Sequence, residues 1–323
     1  MIILTGGAGF IGSAFLSKLN GESRDDVLVV DEPGTPEKWK NLAGKRFADY
    51  LQKDLFIDSL EAGCFPHVDG IIHMGANSST TERNVEYLME NNYRYTRRLA
   101  VWSLRHNVRF IYASSAATYG NGEQGFSDND DGKLRHLQPL NPYGHSKHIF
   151  DLWALDHCVL DKITGIKFFN VFGPNEYHKG EMRSLVCKAY YQIQETGIIT
   201  LFKSCKPEFT DGGQMRDFVY IKDCIEVLWW LLTTPHVNGI FNLGSGKARS
   251  WNDLAHAIFT SLGRAPCIRY IDMPESIRDA YQYFTEASMD KLRRAGCPVT
   301  FRPLEDSVTD FIRNYMHPEQ RFL

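Results

Sequence analysis

Ile2-Ile3-Leu4-Thr5-Gly6-Gly7-Ala8-Gly9-Phe10-Ile11-Gly12 opens the chain, and this stretch decides the fold. Ile2–Thr5 predicts a short buried strand, and from Phe10 to Leu19 the apolar residues return at helical spacing. Three glycines punctuate the turn between them. Gly6 permits a tight reversal, Gly9 lets backbone approach a bulky anionic group, and Gly12 lets the helix pack closely on the strand. The helix start then presents free N–H groups and the positive end of its dipole. Glycines also serve ordinary turns, but in a strand–turn–helix context this spacing points to a dinucleotide pyrophosphate site.

Outward from that unit the pattern repeats. Strands are expected at Val27–Asp31, Gly70–Met74, Arg109–Ala113 and Ile166–Asn170, with helices near Asn84–His106 and Tyr143–Val159. Alternation of this kind predicts an α/β fold, a Rossmann-type doubly wound parallel sheet. Asn121–Pro142 reads as a polar loop whose acidic run, Asp128–Asp131, is solvated surface. After Gly173 the texture changes. A helix is expected at Glu181–Thr196, a strand at Thr200–Phe202, a helix at Lys222–Thr233 and a strand at Ile240–Leu243, then helices near Trp251–Leu262 and Leu304–Tyr315. We therefore expect a dinucleotide-binding domain over 1–170 and a smaller α/β substrate-binding domain over 171–323. Segments such as 216–248 should return to the first domain, so the two interleave.

Composition narrows the partners. The chain has 36 Lys and Arg against 39 Asp and Glu, a net charge of -3, so no basic surplus exists to neutralise nucleic acid. Seven scattered cysteines, never spaced C-x-x-C, suggest reduced thiols rather than disulfides or a zinc site, and no metal is expected. No apolar run is long enough to span a bilayer, and the first strand starts directly after Met1. A soluble, cytoplasmic protein is expected, with no membrane partner.

Asp31 ends the second expected strand, where a carboxylate binds a ribose hydroxyl; with Glu32 beside it, it favours NAD. Lys38 and Lys53 could supply compensating charge for NADP, or could simply face solvent. Tyr143 and Lys147, four apart on an expected helix, share one face. A neighbouring ammonium favours the phenolate, lowering the pKa of Tyr143 so that it can accept a proton as hydride leaves. Lys147 can also reach the cofactor ribose. Ser115, with Ser114 as its packing neighbour, lies near the carboxyl end of a strand, where such sheets bind ligands. Its hydroxyl can hydrogen-bond the reacting oxygen.

These residues resemble the extended short-chain dehydrogenase/reductase family, and within it the sugar-nucleotide epimerases acting at C6″ of ADP-linked heptoses. The likeness is carried by Gly75–Glu82, Tyr112–Gly120, Phe169–Pro174, His178-Lys179-Gly180 and Arg216–Tyr220. It implies oxidation of the heptose at C6″ to a 6-keto intermediate and re-reduction on the opposite face, serving lipopolysaccharide inner-core heptose synthesis. It implies two bases, Tyr143 and Lys179, because one fixed base cannot serve both faces of a carbon. Lys179 could instead contact phosphate or solvent. The resemblance places Phe10, Ile11, Asp31, Glu32, Lys38, Lys53, Met74, Gly75, Ala76, Asn77, Ser78, Asn91, Lys147 and Val171 around NADP. It places Asn170, Glu181, Lys188, Phe202, Lys203, Ser204, Cys205, Arg216 and Tyr281 around the sugar nucleotide. Arg216 suits a diphosphate, though an Arg followed by Asp can also be a structural ion pair. A homo-oligomer, as large as a pentamer, is implied as well.

The chain departs from that pattern in places. Met74 and Asn77 stand where the family has Glu and Cys, and Glu32 where it has Asn. Glu181 and Lys188 replace smaller or less charged residues, and Pro207–Gln214 makes a longer loop. A related dehydratase needs an acid and a base directly after the active Ser or Thr; Ala116 and Ala117 cannot move a proton. Two other readings remain: a UDP-hexose 4-epimerase, which needs Ser115, Tyr143 and Lys147 but not Lys179, and a non-catalytic dinucleotide sensor, which needs no Tyr/Lys pair.

Overall fold

The computed structural model describes residues 1–323 apart from 33, 279–280 and 317–320. Its strands are β1 (Ile2–Thr5), β2 (Val27–Asp31), β3 (Asp49–Gln52), β4 (Gly70–His73), β5 (Arg109–Ser115) and β6 (Thr164–Phe168). They continue as β7 (Asn170–Phe172), β8 (Ile199–Phe202), β9 (Met215–Tyr220), β10 (Gly239–Leu243), β11 (Ala248–Ser250) and β12 (Ile268–Ile271).

Seven strands form one sheet in the order β10-β6-β5-β4-β1-β2-β3, every pair parallel. Helices cover both faces, which is why these strands read as nearly unbroken apolar runs. Ile3, Leu28, Val30, Ile71 and Phe110 fill one layer, and Leu4, Val29, Ile72, Ile111 and Ile166 the other. Strand order reverses at β1, which lies between β2 and β4, and a crevice opens beyond the carboxyl ends there.

The expected strand Ile166–Asn170 is two strands. β6 ends at Phe168, Phe169 N–H still donates to the Leu243 carbonyl of β10 at 3.0 Å, and β7 then leaves for a second sheet ordered β11-β9-β7. Of the segment 216–248, Gly239–Leu243 lies in the main sheet and helix Ile221–Thr233 packs on helix Phe10–Gly21, whereas Met215–Tyr220 lies in the small sheet. A parallel pair, β12 and β8, completes the far side.

Other boundaries shift for local reasons. The single helix expected over Asn84–His106 is α-helical at Val85–Leu88 and Tyr95–His106 but π-helical over Met89–Arg94. The helix expected from Glu181 starts at Leu185, because the Ser184 hydroxyl caps it by accepting from Cys187 N–H at 3.2 Å. β3 and helix Lys53–Glu61 were not expected; β3 is a partly exposed edge strand with little apolar patterning. The acidic run is not merely solvated. Asp128 is buried and accepts from Asn242 N–H on β10 at 2.7 Å, Asp130 caps a 3₁₀ turn, and Asp131 pairs with Lys291 at 2.9 Å.

Candidate active site

The glycine turn is sterically committed. A Cβ on Gly12 would sit 2.1 Å from the Gly6 carbonyl oxygen, and one on Gly6, whose φ is +68°, would sit 2.5 Å from the Gly75 nitrogen. Asp31 buttresses this turn: one carboxylate oxygen accepts from Ala8 N–H at 2.9 Å, and the other accepts from Glu32 N–H at 2.7 Å and pairs with Lys38 at 2.5 Å. Lys53 pairs with Glu32 and donates to Asn91 Oδ1 at 2.6 Å. Neither lysine simply faces solvent; each is matched to a carboxylate beside β2.

Tyr143 lies in the first turn of helix Pro142–Asp156, which Asn141 caps by accepting from Gly144 N–H at 2.8 Å. Gly144 has no room for a side chain, since a Cβ would lie 2.8 Å from the Ala117 carbonyl. This close approach seats the helix start against the turn that follows Ser115, the last residue of β5. Tyr143, Lys147 and Ser115 line one cavity of about 910 Å³ together with the glycine turn. Burial raises the phenol pKa and the Ser115 hydroxyl draws it only part of the way back, so the lowering expected from the Tyr–Lys spacing is not found at this site. Burial brings the Lys147 ammonium down to about 8, opposed by the carboxylate of Asp151 one turn further on. Lys147 Nζ has no hydrogen-bond partner among the described residues. A buried, unpaired ammonium beside a glycine cradle fits the ribose hydroxyls of a dinucleotide.

Below this trio Asp151 ties the elements together. It accepts from Tyr112 Oη at 2.9 Å, from Ser114 Oγ at 2.7 Å and from Lys167 Nζ at 2.8 Å. Ser114 is thus a hydrogen-bonding partner of helix Pro142–Asp156 as well as a packing neighbour of Ser115.

Lys179 reaches the same cavity from a separate turn, Tyr177–Met182, with its ammonium 5.3 Å from the centre of the Phe10 ring. Burial lowers its pKa and the charge of buried Glu176 pulls it back up. Glu176 in turn accepts from Gly173 N–H at 3.1 Å and from Ser184 Oγ at 2.7 Å, which fixes both ends of the Lys179 loop.

Of the cofactor residues expected from sequence, Gly6, Gly9, Phe10, Ile11, Gly12, Asp31, Lys38, Met74–Ser78, Lys147 and Val171 line the cavity. Glu32, Lys53 and Asn91 do not; Lys53 and Asn91 border a smaller hollow of about 230 Å³. Among the substrate residues, Ser115, Asn170, Glu181, Lys188, Phe202 and Tyr281 line it. Lys203, Ser204, Cys205 and Arg216 do not. The first three turn away after β8: Lys203 pairs with Asp272 at 3.1 Å, Ser204 N–H donates to Asp211, and Cys205 N–H donates to Tyr283 Oη. Arg216 is buried beside the rings of Trp251 and Tyr281. It makes no ion pair with Asp217, whose carboxylate accepts from Ser245, Gly246 and Ala287 N–H groups.

Two asparagines carry roles that sequence reading missed. Asn92, on the π-helical segment, exchanges hydrogen bonds with both backbone groups of Asn77 at 2.9 Å and donates to Ser146 Oγ at 3.0 Å. It locks the Met74–Ser78 stretch to helix Pro142–Asp156. Asn41 donates to the Ala8 carbonyl at 2.9 Å and the Asn175 carbonyl at 3.1 Å, joining the glycine turn to the Lys179 loop. The π-helical turn that aims Asn92 inward has no periodic signature, and Asn41 sits in a stretch with none either.

The glycine cradle would hold a dinucleotide whose ring could accept a hydride, and the Tyr143 phenol lines the same cavity, the arrangement of Rossmann-type sugar-nucleotide epimerases and dehydratases. The chain belongs to the NAD dependent epimerase/dehydratase family, whose model matches residues 2–244. It is 58% identical over 324 residues to the ADP-L-glycero-D-manno-heptose-6-epimerase of Nitratidesulfovibrio vulgaris strain DP4, with all of both chains covered. It is 44% identical over 334 residues to the Fusobacterium nucleatum protein of the same name, again end to end. Its fold superposes on the crystal structure of the Helicobacter pylori ADP-L-glycero-D-manno-heptose-6-epimerase with a TM-score of 0.81 at 29% identity, covering 96% of this chain and 94% of that one. The Thermus thermophilus UDP-glucose 4-epimerase in complex with NAD shares the fold at a TM-score of 0.74 but only 21% identity, over 96% of this chain and 97% of that one.

Proposed function

We propose that this protein epimerises C6″ of an ADP-linked glycero-manno-heptose through a 6-keto intermediate. One observation carries the reading: Tyr143 and Lys179, two proton-exchanging groups on separate elements, line one cavity with Ser115 and the glycine cradle. The names of full-length relatives at 58% and 44% identity support the same substrate. A bound nicotinamide dinucleotide supplies a place to hold and return the hydride. Tyr143 takes the proton of the C6″ hydroxyl, Ser115 hydrogen-bonds the phenol and steadies the reacting oxygen, and Lys147 holds the ribose hydroxyls. When the keto sugar presents its other face, Lys179 delivers the proton to the new alkoxide. The reaction is tested by incubating the protein with ADP-D-glycero-D-manno-heptose and following inversion at C6″ by NMR. Lys179→Ala should lower that turnover about 100-fold or more. If turnover barely changes, the second base is not Lys179; if the wild-type protein does not invert C6″ at all, a 4-epimerase acting on a UDP-hexose becomes the better account.

We further propose NADP as the dinucleotide. Asp31 is already engaged by Ala8 N–H and Lys38, and Lys53 offsets Glu32, which reduces the repulsion a 2′-phosphate would meet. The mass of the dinucleotide extracted from purified protein decides between NADP and NAD. The same reading implies a homo-oligomer, as large as a pentamer, working in the cytoplasm to supply lipopolysaccharide inner-core heptose. No helix among the described residues is long and apolar enough to cross a membrane.

A further inference from the structure

Arg216 is a buried cation without a buried anion. Its side chain is 7% exposed, its hydrogen bond runs to the carbonyl of Met215 at 2.8 Å, and no carboxylate among the described residues pairs with it. Burial lowers its pKa. An unpaired guanidinium is expensive to bury unless a ligand completes it. What holds it is aromatic: its guanidinium carbon lies 5.7 Å from the Trp251 ring centre and 5.1 Å from that of Tyr281. The two rings are tied together, because Trp251 Nε1 donates to Tyr281 Oη at 2.9 Å. Trp251 is itself well anchored. It opens helix Trp251–Ser261 directly after the N-cap Ser250, inside the Ser250–Asp253 capping box, its ring packs edge-on against Phe218 at 5.1 Å, and its backbone N–H donates to the Gln214 carbonyl at 3.2 Å. Both rings line the cavity, and Arg216, which is not itself among the lining residues, packs against both.

We infer that Trp251 is a positioning residue for the nucleotide sugar: with Tyr281 it clamps the Arg216 guanidinium at the cavity wall, ready for the substrate diphosphate. This rests on the proposal that a sugar nucleoside diphosphate fills the cavity. An arginine in water gives up much rotamer freedom when it grips a phosphate; one already held between rings gives up less, and its fork can take two oxygens at once. Trp251 acts through Arg216, so its contribution should appear only when a diphosphate is present and Arg216 is there to meet it.

The test is calorimetric titration of the dinucleotide-loaded protein with ADP and, separately, with adenosine. Trp251→Leu should weaken ADP about tenfold while adenosine changes much less. Trp251→Phe keeps a ring against Phe218 but loses the bond to Tyr281, and should fall between; it also keeps the test decisive if the leucine variant folds poorly. In an Arg216→Gln background, Trp251→Leu should cost ADP affinity almost nothing more. In turnover, KM should rise with kcat little changed. The clamp is overturned if ADP binding is unaffected, if adenosine and ADP lose equally because the indole stacks on the base, or if the two substitutions add in full. Wild-type protein that does not bind ADP at all overturns the nucleotide reading, and the clamp with it.

Discussion

At Lys147 the fold carries an ammonium that is 3% exposed, unpaired among the described residues, and lowered to about 8 by desolvation. Because the native pKa lies below the ordinary 10.5, the unfolded chain binds more protons between those values, so stability rises with pH across that window. At neutral pH the charged lysine costs up to about 3 kcal/mol. Lys147→Met should therefore make dinucleotide-stripped protein more stable to urea at pH 7, with the gain shrinking toward pH 10, while epimerisation is lost; an unchanged midpoint at pH 7 would refute the assignment. Tyr143→Phe removes only the hydroxyl, so the dinucleotide should stay bound while turnover falls about 1000-fold in the NMR assay. Tyr143, Lys147 and Ser115 were legible as residues because helical spacing and a strand end are local features. The lowered Lys147 and the raised Tyr143 were not, since desolvation depends on what distant segments stack over them.

Between elements, the knot under helix Pro142–Asp156 carries a buried ion pair. Asp151 and Lys167 are 0% and 1% exposed, and they join helix Pro142–Asp156 to β6 directly and to β5 through Tyr112 and Ser114. Removing one charge strands the other, so Asp151→Asn should destabilise the protein by about 3–5 kcal/mol, whereas Asp151→Leu combined with Lys167→Met should recover most of that loss. Urea midpoints of the three proteins measure it, and equal losses in the single and double variants would show that the pair is not acting as a pair. Periodicity announced β1, β2 and the catalytic helix because they are long or fully buried. It did not announce β3, whose half-exposed edge needs little apolar content, or the π-helical Met89–Arg94, whose geometry is imposed by Asn92 bonding to Asn77 and Ser146.

Across the whole molecule, two buried histidines, His73 and His148, and the half-buried His178 set an acid limit. Desolvation takes His148 and His178 down to about 4 and His73 well below its usual range. Their native pKa values lie below the ordinary 6.5, so the unfolded chain binds more protons as pH falls from there toward 4, and stability falls with it. Full titration costs about 3 kcal/mol for each of His148 and His178. Unfolding midpoints should drop steadily over that range, and His148→Gln should flatten the slope; a flat profile in the wild type would contradict it. The order of strands and helices that makes a parallel sheet, the glycine turn and the Ser115, Tyr143 and Lys147 positions follow from sequence alone, because each is written in the period or spacing of neighbouring residues. Tertiary structure alone decided that Lys179 shares a cavity with Tyr143, that Asp217 serves the Ser245 loop and not Arg216, and that Arg216 packs on Trp251 and Tyr281, two rings of the cavity lining. Those relations join residues far apart in the chain, and only the packing of β7, β9 and their loops onto the main sheet brings them within reach of one another.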